Sequence, residues 1–145
     1  MNLRLIFIIS LIFYSHSFSQ NYELSVLGIK IAQAEQSITN SKIKYLVKSE
    51  SILNLFYPIK NKYVTSYDST DYSITSFNKV VSENNYDASI EAKIDSANSF
   101  IYDGKHIINL PDETKNIFLL LVMAQKEPYQ NIDTKWFNYE HEGNI

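Results

Sequence analysis

The feature that most constrains the fold is a stretch in which apolar and polar residues alternate strictly. From Tyr86 to Asp95 every second residue is apolar, and the residues between them are polar or charged. Such a pattern is typical of an antiparallel strand with one face against a core and the other in water. Further alternating runs cover residues 22–31, 42–48, 63–67 and 72–81. The chain is therefore predicted to be mostly β.

Short polar segments separate these runs and favour tight turns. Asp103-Gly104 is the strongest hairpin signal, because both residues tolerate positive φ. Comparable segments lie at 39–41, 68–71, 83–85 and 96–98. Their regular spacing, without alternating helices, predicts an antiparallel meander. Gly28 lies inside the first run where the alternation slips by one, which predicts a bulge or bend within one strand.

One helix is predicted near residues 113–125. Pro111-Asp112-Glu113 has the composition of a helix start, and eight apolar residues follow from Ile117 to Ala124. A helix that is apolar on all sides must be buried, so we expect it to pack on the concave face of a curved sheet, a half-barrel. A shorter helical turn is expected over 52–56, before Tyr57-Pro58.

The N-terminus has the three-part pattern of a secretory signal peptide. Arg4 precedes an apolar segment from Leu5 to Tyr14, and a polar segment with small residues follows. Cleavage is predicted after Ser19, which leaves a single β-rich domain over residues 20–145 with no transmembrane segment. The alternative is an uncleaved N-terminal anchor. At the other end, a turn-like Glu142-Gly143-Asn144 follows an alternating run, so we expect the domain to continue past residue 145.

Composition excludes several classes of function. The 145 residues include 13 basic and 16 acidic side chains, a formal charge of −3 that gives no electrostatic reason to bind nucleic acid. Cysteine is absent, no serine lies in a Gly-x-Ser-x-Gly elbow, and three scattered glycines cannot form a phosphate-binding loop. The acidic pair Asp68 and Asp71 lies in a predicted turn, where such residues usually bind backbone amides. No enzymatic activity, catalytic residue or cofactor is predicted.

A metal site is the weakest of the alternatives. Glu140, His141 and Glu142 are adjacent in sequence, but on a strand His141 would point to the opposite face from both glutamates. The chain has no His-x-His or His-Glu-x-x-His spacing. These residues are therefore interpreted as a solvated strand end, His106 is interpreted as an edge residue, and no metal ligand is assigned.

Aromatic residues are the remaining functional signal, at 14% of the chain. Tyrosines on strands usually pack against a half-buried sheet face with the hydroxyl group in water. This structural interpretation is one of two for the tyrosines of this chain. The alternative is an apolar groove rimmed by hydroxyl groups, which would suit an acyl chain or another amphipathic ligand. The candidate ligand-binding residues are Tyr63, Tyr67, Tyr86, Ile90, Phe118 and Leu121.

Two segments resemble the bacterial domain of unknown function 3108 family. The first is the tyrosine-led strand Tyr22–Ala34 with its Leu-Gly-Ile step, and the second is Leu53–Tyr63, with Leu-Phe-Tyr-Pro before a strand. Ala32 departs from the glycine that is frequent in the family. The resemblance implies an exported envelope protein of Gram-negative bacteria, located in the periplasm, with a sheet similar to the half-barrels of lipoprotein carriers. The family has no catalytic residues to carry over.

Two functional hypotheses follow. The first is a non-catalytic periplasmic binding module for a hydrophobic or amphipathic ligand such as a lipid. The second is a structural or interaction protein of the cell envelope that docks a protein partner. The second hypothesis predicts that Phe118, Leu121 and their neighbours fill the groove.

Overall fold

The eight described strands follow one another around a single antiparallel sheet, and each pairs with the next along the chain. The computed structural model describes residues 18–94, 99–102, 106–109 and 114–126. The strands are β1 (Phe18–Val26), β2 (Ile29–Ile38), β3 (Lys42–Ser49), β4 (Lys60–Tyr67), β5 (Ile74–Glu83), β6 (Tyr86–Ile94), β7 (Ser99–Tyr102) and β8 (His106–Asn109). Helix α1 (Ser51–Phe56) connects β3 to β4, and helix α2 (Ile117–Lys126) follows β8.

This architecture confirms the predicted mostly-β class. In the described part of the chain the sheet is open, with β1 and β8 as its edges, and it fits a curved sheet that carries a helix on one face. Turns join the strands at three predicted places, 39–41, 68–71 and 83–85. The predicted turns at 96–98 and 103–104 lie outside the described residues, although β7 and β8 pair antiparallel on either side of the second one.

The predicted single strand through Gly28 is wrong, because the chain reverses there. Val26 pairs with Ile29, and the two residues between them have positive φ, 51° at Leu27 and 78° at Gly28. This is the backbone of a type I′ turn, whose twist matches that of a two-stranded hairpin. A register shift does occur in β1, between Leu24 and Ser25. Residues 22–31 therefore form two strands.

One face of the sheet, the inner face, carries the core beneath α2. Strand β6 shows the predicted alternation: Ala92 is buried and Ile90 half-buried, while Glu91 and Lys93, which alternate with them, are exposed. The buried residues of this core are Ile38, Ile43, Tyr45, Tyr67, Ile74, Phe77, Ala92, Leu119 and Val122. The opposite, outer face carries mostly polar and charged side chains that alternate with these along the strands, together with Leu46, Val64 and Val80.

Helix α2 confirms the predicted buried helix but begins later in the chain. Leu119, Val122 and Met123 are buried against the sheet, whereas Leu121 is 43% exposed. The Asn116 side-chain oxygen accepts a hydrogen bond from the Leu119 amide at 3.1 Å and so caps the first turn. The predicted start at Pro111-Asp112-Glu113 lies outside the described residues.

The predicted leader falls almost entirely outside the described residues. Only Phe18 and Ser19 of it are described, and they are exposed residues at the start of β1. Within the described ranges, neither helix is long and apolar enough to cross a membrane.

Candidate functional site

A cavity of about 200 Å³ opens on the inner face of β4, β5 and β6. Its lining residues are Tyr63, Lys79, Val81, Glu83, Tyr86, Ala88 and Ile90. All seven share one face because each strand contributes alternate residues. Val81, Ala88 and Ile90 form apolar walls, and the other four residues bring hydroxyl, ammonium and carboxylate groups to the same space.

The strand register explains how these side chains meet. Lys79 on β5 lies between its two cross-strand partners, Tyr63 on β4 and Ile90 on β6. Two residues further along β5, Val81 lies opposite Ala88. Ala88 is small, so its side chain leaves open the space that a larger residue in that row would occupy.

A hydrogen-bonded asparagine fixes the polar end of the cavity. The Asn61 side-chain nitrogen donates to Glu83 Oε1 at 2.5 Å and lies 3.3 Å from the Tyr63 hydroxyl oxygen, to which it also donates. The Asn61 oxygen accepts the Ser82 amide hydrogen at 3.2 Å. Asn61 is only 6% exposed. It therefore holds the carboxylate and the phenol in place, since all three bonds lie in partly buried surroundings.

Helix α2 closes the inner face on the other side of Tyr63. The Phe118 ring lies 5.1 Å from the rings of both Tyr45 and Tyr63, centroid to centroid, and 6.3 Å from that of Phe77. Phe118 thus fills the space above β3, β4 and β5. The cavity begins where this aromatic cluster ends.

The structure brings some of the six candidate ligand-binding residues together. Tyr63, Tyr86 and Ile90 line the cavity, and Phe118 contacts Tyr63. Leu121 lies on the exposed side of α2.

Tyr67 lies apart from the cavity, under the C-terminal end of α2. Its hydroxyl donates to the Thr39 carbonyl oxygen at 3.0 Å, and its ring stacks on Tyr72 with centroids 5.8 Å apart. The Lys126 ammonium lies 5.9 Å from the same ring centroid. Tyr67 is 2% exposed, so its neighbours in the fold already use its ring and hydroxyl.

Sequence reasoning missed Lys79, Glu83 and Asn61. A signal for two of them was present, because Lys79 and Glu83 are in phase with Phe77 and Val81 along β5. Charged residues at inward positions of an alternating strand are costly unless they are paired or face a cavity. Nothing local distinguishes Asn61, whose role depends on a residue 22 positions away.

A second polar cluster lies on the inner face at β1, β2 and β3. Gln36, which is fully buried, donates from its side-chain nitrogen to the Tyr45 hydroxyl, and its oxygen accepts from the Tyr22 hydroxyl at 3.1 Å. Burial raises the pKa of Tyr45, and the hydrogen bond from Gln36 partly opposes that rise. Tyr45 therefore has a structural hydrogen-bonding role.

The acidic pair Asp68 and Asp71 serves the backbone of a turn, as predicted. Asp68 accepts hydrogen bonds from the Thr70 hydroxyl and amide, and Asp71 accepts one from the Ser73 amide at 2.8 Å. These hydrogen bonds lower the pKa of both carboxyl groups. Among the described residues no three metal-ligating side chains cluster. Glu140, His141 and Glu142 lie outside the described residues, as does the side chain of His106.

Comparison with known proteins adds no assignment. No protein-family model matches the chain, and neither the curated proteins nor the solved structures contain a match.

Proposed function

We propose that this protein is an exported, non-catalytic binding module that holds one end of an amphipathic ligand on the inner face of its sheet. The observation that carries the proposal is the cavity itself. Its apolar walls adjoin Lys79 and Glu83, and buried Asn61 holds the Glu83 carboxylate in place. At about 200 Å³ it is smaller than the roughly 300–1,000 Å³ typical of sites for drug-sized ligands. It therefore suits a single acyl segment whose polar group stays near Lys79 and Glu83.

The periplasmic location and the resemblance to the domain of unknown function 3108 family stay predictions. The location rests on the sequence pattern of residues 1–19. Expression with the native N-terminus in a Gram-negative host tests it directly. We expect the chain in the periplasmic fraction, with an intact mass that lacks residues 1–19. A cytoplasmic chain of full mass would contradict the export proposal.

The binding proposal is tested by filling the cavity from one side. Ala88→Leu adds a branched side chain to the inner wall, whereas Ser89→Leu adds the same side chain to the exposed outer face one residue later. Octanoate, palmitate and dodecylphosphocholine serve as probes in native mass spectrometry and calorimetry. We expect Ala88→Leu to weaken binding of the best probe at least about tenfold, a loss of about 1.4 kcal/mol, and Ser89→Leu to leave it unchanged.

Two results would count against the binding module. One is a purified protein that carries no extractable ligand and responds to none of the three probes. The other is a pair of variants that weaken probe binding equally, because a cavity on the inner face predicts a difference between the two sides of β6.

A second candidate function, an interaction protein of the envelope, is favoured by Phe118. Its ring occupies the inner face among Tyr45, Tyr63 and Phe77, as that hypothesis expects, although Leu121 does not join it. Phe118→Ala separates the two functions. A binding module should take up longer acyl probes once the ring is removed. An interaction protein should lose stability and gain no ligand.

A further inference from the structure

One end of the sheet carries a group of exposed apolar side chains that the fold does not use. This apolar tip consists of Val26, Leu27, Ile29, Ile52, Leu55 and Phe56, each more than half exposed. Leu27, Leu55 and Phe56 are the most exposed, at 97%, 79% and 78%. Helix α1 has no buried residue at all, even though four of its six residues are apolar. Apolar patches of this kind mark sites of contact with another surface.

The register places both parts of the apolar tip at the same end of the molecule. Strand β3 ends at Ser49, opposite Ala32, so β2 extends past it toward the Leu27-Gly28 turn. Helix α1 leaves β3 at this point, and the Glu50 amide donates to the Ile31 carbonyl oxygen at 2.8 Å. The hairpin turn and α1 therefore project from the sheet side by side.

Lysines border the apolar tip on the outer face. Lys48 and Lys60 are the last outer-face residue of β3 and the first of β4, and they lie directly opposite one another on either side of α1. Lys62 occupies the next outer-face position on β4. None of the three lysines forms an ion pair with another described residue. Like charges placed opposite each other destabilise a sheet, so the pairing of Lys48 with Lys60 does not stabilise the fold.

From this juxtaposition we propose that the apolar tip and its lysines form a docking surface for anionic phospholipid membranes. Leu27, Leu55 and Phe56 would enter the boundary between headgroups and acyl chains, while Lys48, Lys60 and Lys62 contact lipid phosphates. Charge complementarity selects this occupant. A second copy of the chain docked through the same surface would bring two sets of unpaired lysines together, which is unfavourable.

The docking surface also lies beside the cavity. The Asn84 amide, in the turn between β5 and β6, donates to the Pro58 carbonyl oxygen at 2.7 Å. Glu83 and Tyr86 flank that turn and line the cavity. A docked protein would therefore hold the cavity close to the lipid surface. The docking proposal itself does not depend on the cavity binding a ligand.

Sedimentation with vesicles tests the charge requirement, using protein recovered after expression with its native N-terminus. We expect binding to vesicles that contain phosphatidylglycerol, weaker binding to phosphatidylcholine alone, and a decrease as salt is raised. The double variant Lys48→Glu/Lys60→Glu should weaken binding at least about tenfold. The control Lys93→Glu also lies on the outer face, but on β6 and already paired with Glu91 at 2.6 Å; it should have little effect.

A site-specific label tests the apolar contact. Because the chain has no cysteine, Leu55→Cys and Ser69→Cys each allow one environment-sensitive fluorophore, at opposite ends of the sheet. Anionic vesicles should shift the emission of the label at position 55 to the blue and leave the label at 69 unchanged. Three results would each overturn the proposal. The labels at positions 55 and 69 could respond equally to vesicles, or vesicle binding could be insensitive to the lysine substitutions. The third is a label at position 55 that is already protected in a dimer without lipid. Inorganic phosphate at matched ionic strength should not compete.

Discussion

At the scale of single residues, Leu27 has a backbone conformation that is unfavourable for a leucine. It has a φ of 51° in a two-residue turn and is 97% exposed. A residue with a Cβ in this region costs about 1–2 kcal/mol, and Asn is preferred there in type I′ turns. We expect Leu27→Asn to raise the free energy of unfolding by about 0.5–1 kcal/mol, measured as a higher urea midpoint at unchanged slope.

The neighbouring glycine provides the control for that prediction. A Cβ added at Gly28 would meet no atom within 4 Å, so only its φ of 78° opposes substitution. Gly28→Ala should therefore lower the free energy of unfolding by about 1 kcal/mol. If both substitutions shift the midpoint in the same direction, backbone strain does not govern this turn.

The hydroxyl of Tyr45 accepts a hydrogen bond from a buried partner. Tyr45→Phe removes the acceptor of the Gln36 side-chain nitrogen, and Gln36 is fully buried. An unsatisfied buried donor costs about 1–3 kcal/mol, whereas replacing both partners by apolar groups is nearly neutral. We expect Tyr45→Phe to lower the free energy of unfolding by that amount and Gln36→Leu/Tyr45→Phe to recover part of it. A double variant less stable than Tyr45→Phe would refute this account.

At the scale of elements, Asn116 links α2 to the sheet. Its side-chain oxygen caps the helix, and its nitrogen donates to the Thr65 hydroxyl on β4 at 3.1 Å. Asn116→Ala should lower the free energy of unfolding by about 2 kcal/mol, because the cap and a buried hydrogen bond are lost together. Asn116→Asp keeps the capping oxygen and should lie between the parent and the alanine variant in urea unfolding. Equal losses would mean that the cap contributes nothing.

The elements also show what could be read from the sequence. The alternation of apolar and polar residues is sufficient to predict β6 and the antiparallel meander, since burial of one sheet face imposes a period of two on the sequence. The reversal at Leu27-Gly28 is not evident from the sequence, because a slip of one residue in the alternation also fits a bulge within one strand, and leucine is no turn signal. The apolar run from Ile117 to Ala124 predicted α2. Which of its sides faces the sheet, and hence the exposure of Leu121, depends on packing that eight consecutive apolar residues cannot encode.

The residues of the candidate site also differ in whether the sequence predicts their position or only tertiary contacts determine it. Tyr63, Tyr86 and Ile90 were recognised because aromatic and aliphatic residues alternate on their strands. Tyr67 has the same local pattern, but it is enclosed by Thr39 and Tyr72, so its place in the fold had to come from tertiary contacts. Asn61 donates a hydrogen bond to Glu83 on the neighbouring strand β5. Only the register between the two strands shows that these residues meet.

At the scale of the whole molecule, the lysines are distributed so that one substitution should change stability and the proposed membrane docking in opposite directions. Five of the chain's lysines lie on β3 and β4 (Lys42, Lys44, Lys48, Lys60 and Lys62), although the chain carries a formal charge of −3. Lys60→Glu places an opposite charge across from Lys48. A favourable cross-strand pair contributes about 0.2–1 kcal/mol, so the free energy of unfolding should rise at low salt and the gain should fade as screening increases.

The same substitution should weaken binding to phosphatidylglycerol vesicles, because it removes one headgroup contact and adds a repulsive charge. Lys60→Glu is thus expected to be more stable than the parent chain and a poorer membrane binder. Urea unfolding and vesicle sedimentation on one preparation measure both quantities. A variant that is more stable and binds vesicles equally well would show that these lysines are not maintained for lipid contact. A variant that is less stable would show that Lys60 contributes to the fold in a way that the cross-strand pairing does not describe.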